Sequence, residues 1–142
     1  MTPLDNILEI ELPKIYDPRG SLTFAEGGVH VPFPIKRVFY VYDIPGGATR
    51  GGHAHYKCME LIMAVAGTVT VRLSDGTNEK SYVLDRANKA LFVPAGLWLT
   101  TSNFTTGSIY LCFASEPYEE EDYIRDYEEF LEYSRQQYPS QQ

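Results

Sequence analysis

Apolar and polar residues alternate along most of this chain, and glycine, proline, aspartate or asparagine repeatedly cuts the alternation. A period of two marks strands with one face buried. Residues 7–12 and 21–25 read as strands around the turn Asp17-Pro18-Arg19-Gly20. Ile35 to Tyr42 is a longer run, ended by Pro45-Gly46-Gly47. His53 to Lys57, Leu61 to Ala66 and Val69 to Leu73 follow, the last leading into the hairpin signal Asp75-Gly76. Lys80 to Leu84, Ala90 to Val93, Leu97 to Ser102 and Ser108 to Ala114 complete the series. Strands this regular, with no helical period between them, predict a closed or sandwiched antiparallel sheet. No segment repeats another, and none is of low complexity.

The period changes near the C-terminus. Tyr123, Ile124, Tyr127, Phe130 and Leu131 fall on one face of a helix, which predicts an α-helix near 119–134. Ser115 is its candidate cap, and the acidic run Glu119 to Asp122 occupies its first turns, where the helix dipole favours negative charge. The chain therefore divides into a β-barrel domain, 1–115, and an acidic helix and tail, 116–142, packed on the same domain.

Composition supports one β-rich domain. The chain has 142 residues, 11 of them Tyr, with frequent Val, Thr and Phe, which suit pleated surfaces better than helices. No stretch is apolar for the 18 or so residues of a membrane span, and the N-terminus lacks a basic-then-apolar signal pattern. Cys58 and Cys112 lie in apolar, strand-like surroundings and read as buried free thiols of a reducing cytoplasm. The net charge of −7 is local: residues 1–115 hold ten acidic and ten basic side chains, and the excess lies entirely in 116–142. A neutral body with an acidic tail has no basic patch for nucleic acid.

The chemistry concentrates in one stretch. Two of the three histidines, His53 and His55, stand two residues apart at the head of an apolar run. In a strand that spacing sets both imidazoles on one face, about 7 Å apart along the chain. Gly47, His53, His55, Glu60 and Gly67 fill every fixed position of G-x5-H-x-H-x4-E-x6-G, the first motif of the cupin superfamily. A cupin is a jelly-roll β-barrel that binds ligands in its mouth. The second cupin motif is present as Pro94-Ala95-Gly96-Leu97-Trp98, but its usual histidine ligand is replaced by Leu99. His53, His55 and Glu60 could still form a facial triad for a metal.

Without a metal, two same-face histidines in a barrel mouth suit proton transfer next to a carbonyl. The enediolate formed in between calls for cations or donors, and Tyr40, Tyr42, Arg50, Lys57 and Trp98 are the candidates. Lys57 shares strand parity with the histidines and should face the same cavity. Parity breaks before Glu60, so an inward Glu60 requires a bulge or bend. Arg19, after a turn proline, is a candidate diphosphate ligand. His30, between Val29 and Val31, reads as an edge-strand residue.

The block from Ile35 to Asp43, with Arg50-Gly51-Gly52-His53-Ala54-His55, resembles the nucleotide-sugar 3,4-ketoisomerases, a cupin family of bacterial glycan biosynthesis. Asp17-Pro18-Arg19-Gly20-Ser21-Leu22, Ala114-Ser115-Glu116-Pro117-Tyr118 and Asp122-Tyr123-Ile124-Arg125 match it too, so the resemblance runs from about residue 15 to 133. It implies a metal-independent, cofactor-free isomerase that moves the keto group of a dTDP-4-keto-6-deoxyhexose from C4 to C3. It also implies catalysis by His53 and His55, and a homodimer, often with N-terminal strands exchanged. Three positions depart from the family pattern: Phe39 for a common Tyr, Leu99 for a common His, and Glu60 for the usual Gln. A nucleotide-sugar-binding cupin without turnover and a metal-dependent enzyme using His53, His55 and Glu60 remain the alternatives.

Overall fold

The computed structural model describes residues 1–139, so the end of the 116–142 tail lies outside the described residues. Strand β1 is Leu8–Glu11, β2 Lys14–Asp17, β3 Gly20–Thr23, β4 Arg37–Val41, β5 Arg50–His55 and β6 Glu60–Ala66. Strand β7 is Val69–Ser74, β8 Glu79–Leu84, β9 Lys89–Val93, β10 Trp98–Ser102, β11 Ile109–Ala114 and β12 Tyr123–Ile124. One five-stranded antiparallel sheet has the order β1-β9-β6-β11-β4, and a second has the order β12-β5-β10-β7-β8. Together they form the cupin jelly roll, while β2 and β3 make a separate hairpin.

Alternation decides which side chains fill the barrel. In β6, Ile62 and Ala64 join Val71, Leu73, Leu91 and Leu99 in the core between the sheets. Leu61 and Met63, one residue out of phase, join Leu12, Val31, Phe33 and Phe92 on the outer face. β6 is thus covered on both sides, which explains its unbroken apolar run. Both cysteines are buried and free, as their surroundings suggest. No helix among the described residues is long and apolar enough to cross a membrane.

The helix differs from its sequence-based prediction. α1 spans Tyr127–Gln137 and is capped by Asp126, whose side chain accepts from Glu129 N at 3.0 Å. Residues Glu120–Asp122 form a single 3-10 turn instead, and Tyr123 and Ile124 pair with His55 and Ala54 of β5. The edge of β5 takes this segment, since its buried backbone needs partners that a helix starting at 119 would not supply. Ser115 is no cap; its hydroxyl accepts from Met59 N at 2.8 Å. Tyr127 and Phe130 do present an aromatic face, and Trp98 lies against it, 5.1 and 5.5 Å from their ring centroids.

Candidate active site

Strand β5 delivers the histidines. Gly51 has φ +92°, and a β-carbon there would stand 2.9 Å from Leu99 O, so the backbones of β5 and β10 approach too closely for another residue. The pairing shifts between Leu99 and Thr100. Beyond His55 the chain leaves this sheet, turns through residues 56–59 and enters the other sheet as β6 at Glu60. This is the break in parity that an inward Glu60 requires.

His53 and His55 stand edge to face, their ring centroids 5.2 Å apart at 84°. His53 reaches a cavity of about 100 Å³ between the sheets, and Glu60, Leu99, Phe39 and Arg50 are also on its wall. Ligand pockets that enclose a whole small molecule run to roughly 300–1,000 Å³. This cavity is smaller than that range. Burial, with His55 and Arg125 adding repulsion, pushes the His53 pKa down to about 4, so the imidazole is neutral at pH 7.

His55 is buried deeper, and its surroundings come from the segment after β11. Asp122 Oδ2 lies 3.0 Å from His55 Nδ1 and also accepts from Cys58 N at 3.2 Å, while Oδ1 accepts from Lys57 N at 2.8 Å. The carboxylate therefore fixes the ring and directs Nε2 towards Glu60, 3.9 Å away. That Nε2 is buried without a hydrogen-bond partner. Glu60 is buried as well; loss of solvation raises its pKa, against the pull of His55, Cys112 and Arg37. Tyr123 covers both imidazoles, 4.3 Å from His55 and 5.4 Å from His53 by ring centroid. Arg125 lies 4.2 Å from the Tyr123 ring and is held by Glu120 at 2.7 and 3.1 Å.

Not every candidate residue reaches the cavity. Arg50 does. Tyr40 and Tyr42 are each 60% exposed on the outer side of β4, since alternation gives the inner side to Phe39 and Val41. Lys57 lies beyond the end of β5, so strand parity no longer governs it; its ammonium projects outward to Glu119 at 3.1 Å. Trp98 packs under α1 with Ala54, Ile124 and Phe130. Arg19, at the tip of the β2–β3 hairpin, pairs with its neighbour Asp17 at 2.7 Å. His30 also stands apart, its Nδ1 accepting from Glu26 N at 3.0 Å.

Asp122 and Tyr123 escaped the reading of the sequence as site residues. A cluster of acids ahead of an aromatic stripe looks like a helix start, and only the pairing of Tyr123 with His55 separates Asp122 from its exposed neighbours.

Among the described residues, the group whose ligand atoms come within 4.8 Å of one another is His55, Cys58 and Asp122 rather than His53, His55 and Glu60. There Asp122 is already engaged by the imidazole and two backbone amides, and burial raises the Cys58 pKa, which keeps it a thiol.

The chain matches the family model "FdtA: WxcM-like, C-terminal" over residues 5–135. It is 37% identical over 124 residues to a TDP-4-oxo-6-deoxy-alpha-D-glucose-3,4-oxoisomerase of Aneurinibacillus thermoaerophilus, covering 87% of this chain and 89% of that one. A 3,4-ketoisomerase structure from Helicobacter canadensis superposes with a TM-score of 0.88 at 37% identity, over 92% of this chain and 98% of that one. A variant of a 3,4-ketoisomerase from Thermoanaerobacterium thermosaccharolyticum, in complex with TDP-4-keto-6-deoxyglucose, gives 0.90 at 33% identity, over 94% and 96%.

Proposed function

The chain belongs to the FdtA (WxcM-like, C-terminal) family of sugar-nucleotide 3,4-ketoisomerases, and from that premise we propose that it moves the keto group of a dTDP-4-keto-6-deoxyhexose from C4 to C3 by histidine-mediated proton transfer through an enediolate. The observation that carries this reading is a neutral His53 on the wall of a small, largely apolar cavity. A base of that kind takes the proton from C3, which the C4 carbonyl acidifies. His55, held by Asp122, stands edge to face beside it and completes the acid–base pair. Arg50 supplies a fixed positive charge for the developing enediolate. Arg50 is itself exposed, at the mouth of the cavity, where it can meet the ligand's oxygens.

The deciding experiment incubates the protein with dTDP-4-keto-6-deoxyglucose in deuterium oxide, with and without chelator. Exchange at C3 and formation of the 3-keto sugar in both arms support the reading. Nucleotide binding without exchange or product identifies a binding cupin instead, and loss of turnover on chelation returns the chemistry to a metal.

We further propose a homodimer in which the N-terminal hairpin packs on, or exchanges with, a second copy. The hairpin forms its own two-stranded sheet and exposes Ile15, Tyr16 and Leu22, and isolated hairpins are marginal in water. Its neighbour is a groove of about 470 Å³ on the outer sheet face, with Phe24, Met63, Val65 and Phe113 on its walls. The edge strand β4 exposes Val38 and Tyr40, and Tyr42 just beyond its end is exposed too. Exchange of the hairpin would carry Arg19 to the partner's ligand, where its guanidinium could meet the diphosphate.

A further inference from the structure

Arg37 opens β4 on its inner side, in phase with Phe39 and Val41 of the cavity wall. Strand pairing sets it in one row with Ala114 of β11 and Glu60 of β6, at the end of the barrel where His55 approaches Glu60. Its guanidinium carbon lies 5.3 Å from the Phe39 ring centroid and 5.7 Å from that of Tyr118. Arg19, Arg72, Arg125 and Arg135 each have a carboxylate partner. Among the described residues Arg37 has none, and its Nε is buried without a hydrogen-bond partner. A guanidinium keeps its charge and carries donors on every nitrogen. Burying part of one without a counter-anion is costly, and an anion arriving from outside the chain would remove that cost.

Tyr118 is the next group outward. It is 58% exposed, yet it is held in place: its hydroxyl donates to Glu120 Oε1 at 2.6 Å, and Arg125 grips the same carboxylate. Its ring centroid is 5.6 Å from that of Tyr123, which covers the two imidazoles. An exposed ring whose polar end is already satisfied offers its apolar surface to a flat partner.

We propose that Arg37 and Tyr118 bind the nucleotide arm of the ligand, the guanidinium taking the diphosphate and the phenol ring stacking with the thymine. The proposal rests on the ketoisomerase reading above. The order of groups in the protein follows the order of groups in the ligand. Phe39 shares the cavity wall with His53, where the sugar reacts; Arg37 lies against Phe39, and Tyr118 against Arg37. In the ligand the diphosphate follows the sugar, and the nucleoside follows the diphosphate. Phosphate oxygens accept in the planar, two-pronged geometry that a guanidinium offers. The acids beside Tyr118 do not stand against an anion unopposed, since Glu119 is paired with Lys57 and Glu120 with Arg125.

Titration with TDP tests the proposal without needing turnover. Arg37→Gln should weaken TDP binding about 10- to 100-fold, the worth of a charge-assisted hydrogen bond. It should also flatten the dependence of binding on salt, because a charge contact to phosphate is lost. Arg37→Lys should keep that salt dependence and part of the affinity. Tyr118→Ala should weaken binding on the order of tenfold with the salt dependence unchanged, and Tyr118→Phe, which keeps the ring, should recover most of the loss. In steady-state turnover both losses should fall on KM more than on kcat, since the nucleotide arm is held alike in ground and transition states. TDP affinity within about threefold of wild type in either Arg37→Gln or Tyr118→Ala overturns the proposal, as does a loss confined to kcat. If Arg37→Gln does not melt cooperatively, Tyr118→Ala, at an exposed position, decides alone. A wild-type chain that binds no TDP faults the nucleotide-sugar reading itself, which separates the two failures.

Discussion

Asp122→Asn perturbs the site at its anchor while changing almost no volume. The carboxylate accepts three hydrogen bonds, from His55 Nδ1 and from the amides of Lys57 and Cys58. An asparagine has one acceptor oxygen and a donor amide in place of the second, so at least one buried N–H must face another donor. A hydrogen bond to a charged group contributes about 1.5–3 kcal/mol, and a buried donor left unpaired costs about 1–3 kcal/mol. The backbone amides are close enough to share the remaining oxygen, which limits the damage. A net loss of about 2–4 kcal/mol follows, or roughly 10 °C in Tm for a chain of this length. Activity should suffer separately: an amide donor at Nδ1 makes that nitrogen the acceptor and moves the ring proton to Nε2. His55 then presents a donor to Glu60, and kcat should drop on the order of 10²–10⁴-fold with nucleotide affinity little changed. Thermal melting, steady-state turnover and titration with TDP read the three quantities. Stability within about 0.5 kcal/mol of wild type together with kcat within threefold would refute the reasoning, because Asp122 would then be one more surface acid.

Replacement of His53 by Asn should lower kcat by about 10²–10⁴-fold and abolish C3 exchange, whereas His55→Asn should lower kcat but leave residual exchange; single-turnover and exchange assays distinguish them. His53 titrates near 4 in the fold against about 6.5 unfolded, so the unfolded chain takes up the proton first on acidification. That contribution, up to about 3 kcal/mol, is fully present above pH 7 and is lost between about 6.5 and 4; denaturant melts across that window should show a shallower slope for His53→Asn. Gly51→Ala combines a positive φ with a β-carbon 2.9 Å from Leu99 O and should cost about 2 kcal/mol or more, read by the same melts. Sedimentation should give a dimer mass at micromolar concentration; a monomer across that range removes the hairpin-exchange reading.

Most strands were legible because they follow a period of two or form a short apolar run, many are followed by a glycine, proline or aspartate, and most are covered on at least one face. β2 was not read, since Lys14–Asp17 is exposed and its pattern reflects no core. The break between His55 and Glu60 was legible from parity alone: a strand cannot turn positions 53, 55 and 60 to one side. Direction along β4 followed in the same way, with Phe39 inward and Tyr40 and Tyr42 outward.

The segment 115–126 shows where periodicity fails. Its acids and aromatics satisfy a helical template as well as they satisfy their real surroundings, and local propensity cannot weigh a contact 67 residues away in the chain, which is the separation of His55 and Asp122. A helix beginning at 119 would have left the edge of β5 without Tyr123 and Ile124 and a buried imidazole without its carboxylate. The tertiary demand outweighs the local one, because unpaired buried polar groups cost several times the few tenths of a kcal/mol at stake in helix propensity. The same imbalance separates the acids by role. Glu119 and Glu120 stay at the surface with Lys57 and Arg125. Asp122 is held inside by three donors, and Glu60 is buried in the barrel wall with His55 Nε2 3.9 Å away. Burial among donors suits Asp122 to anchoring an imidazole, whereas burial raises the pKa of Glu60 against the pull of its neighbours.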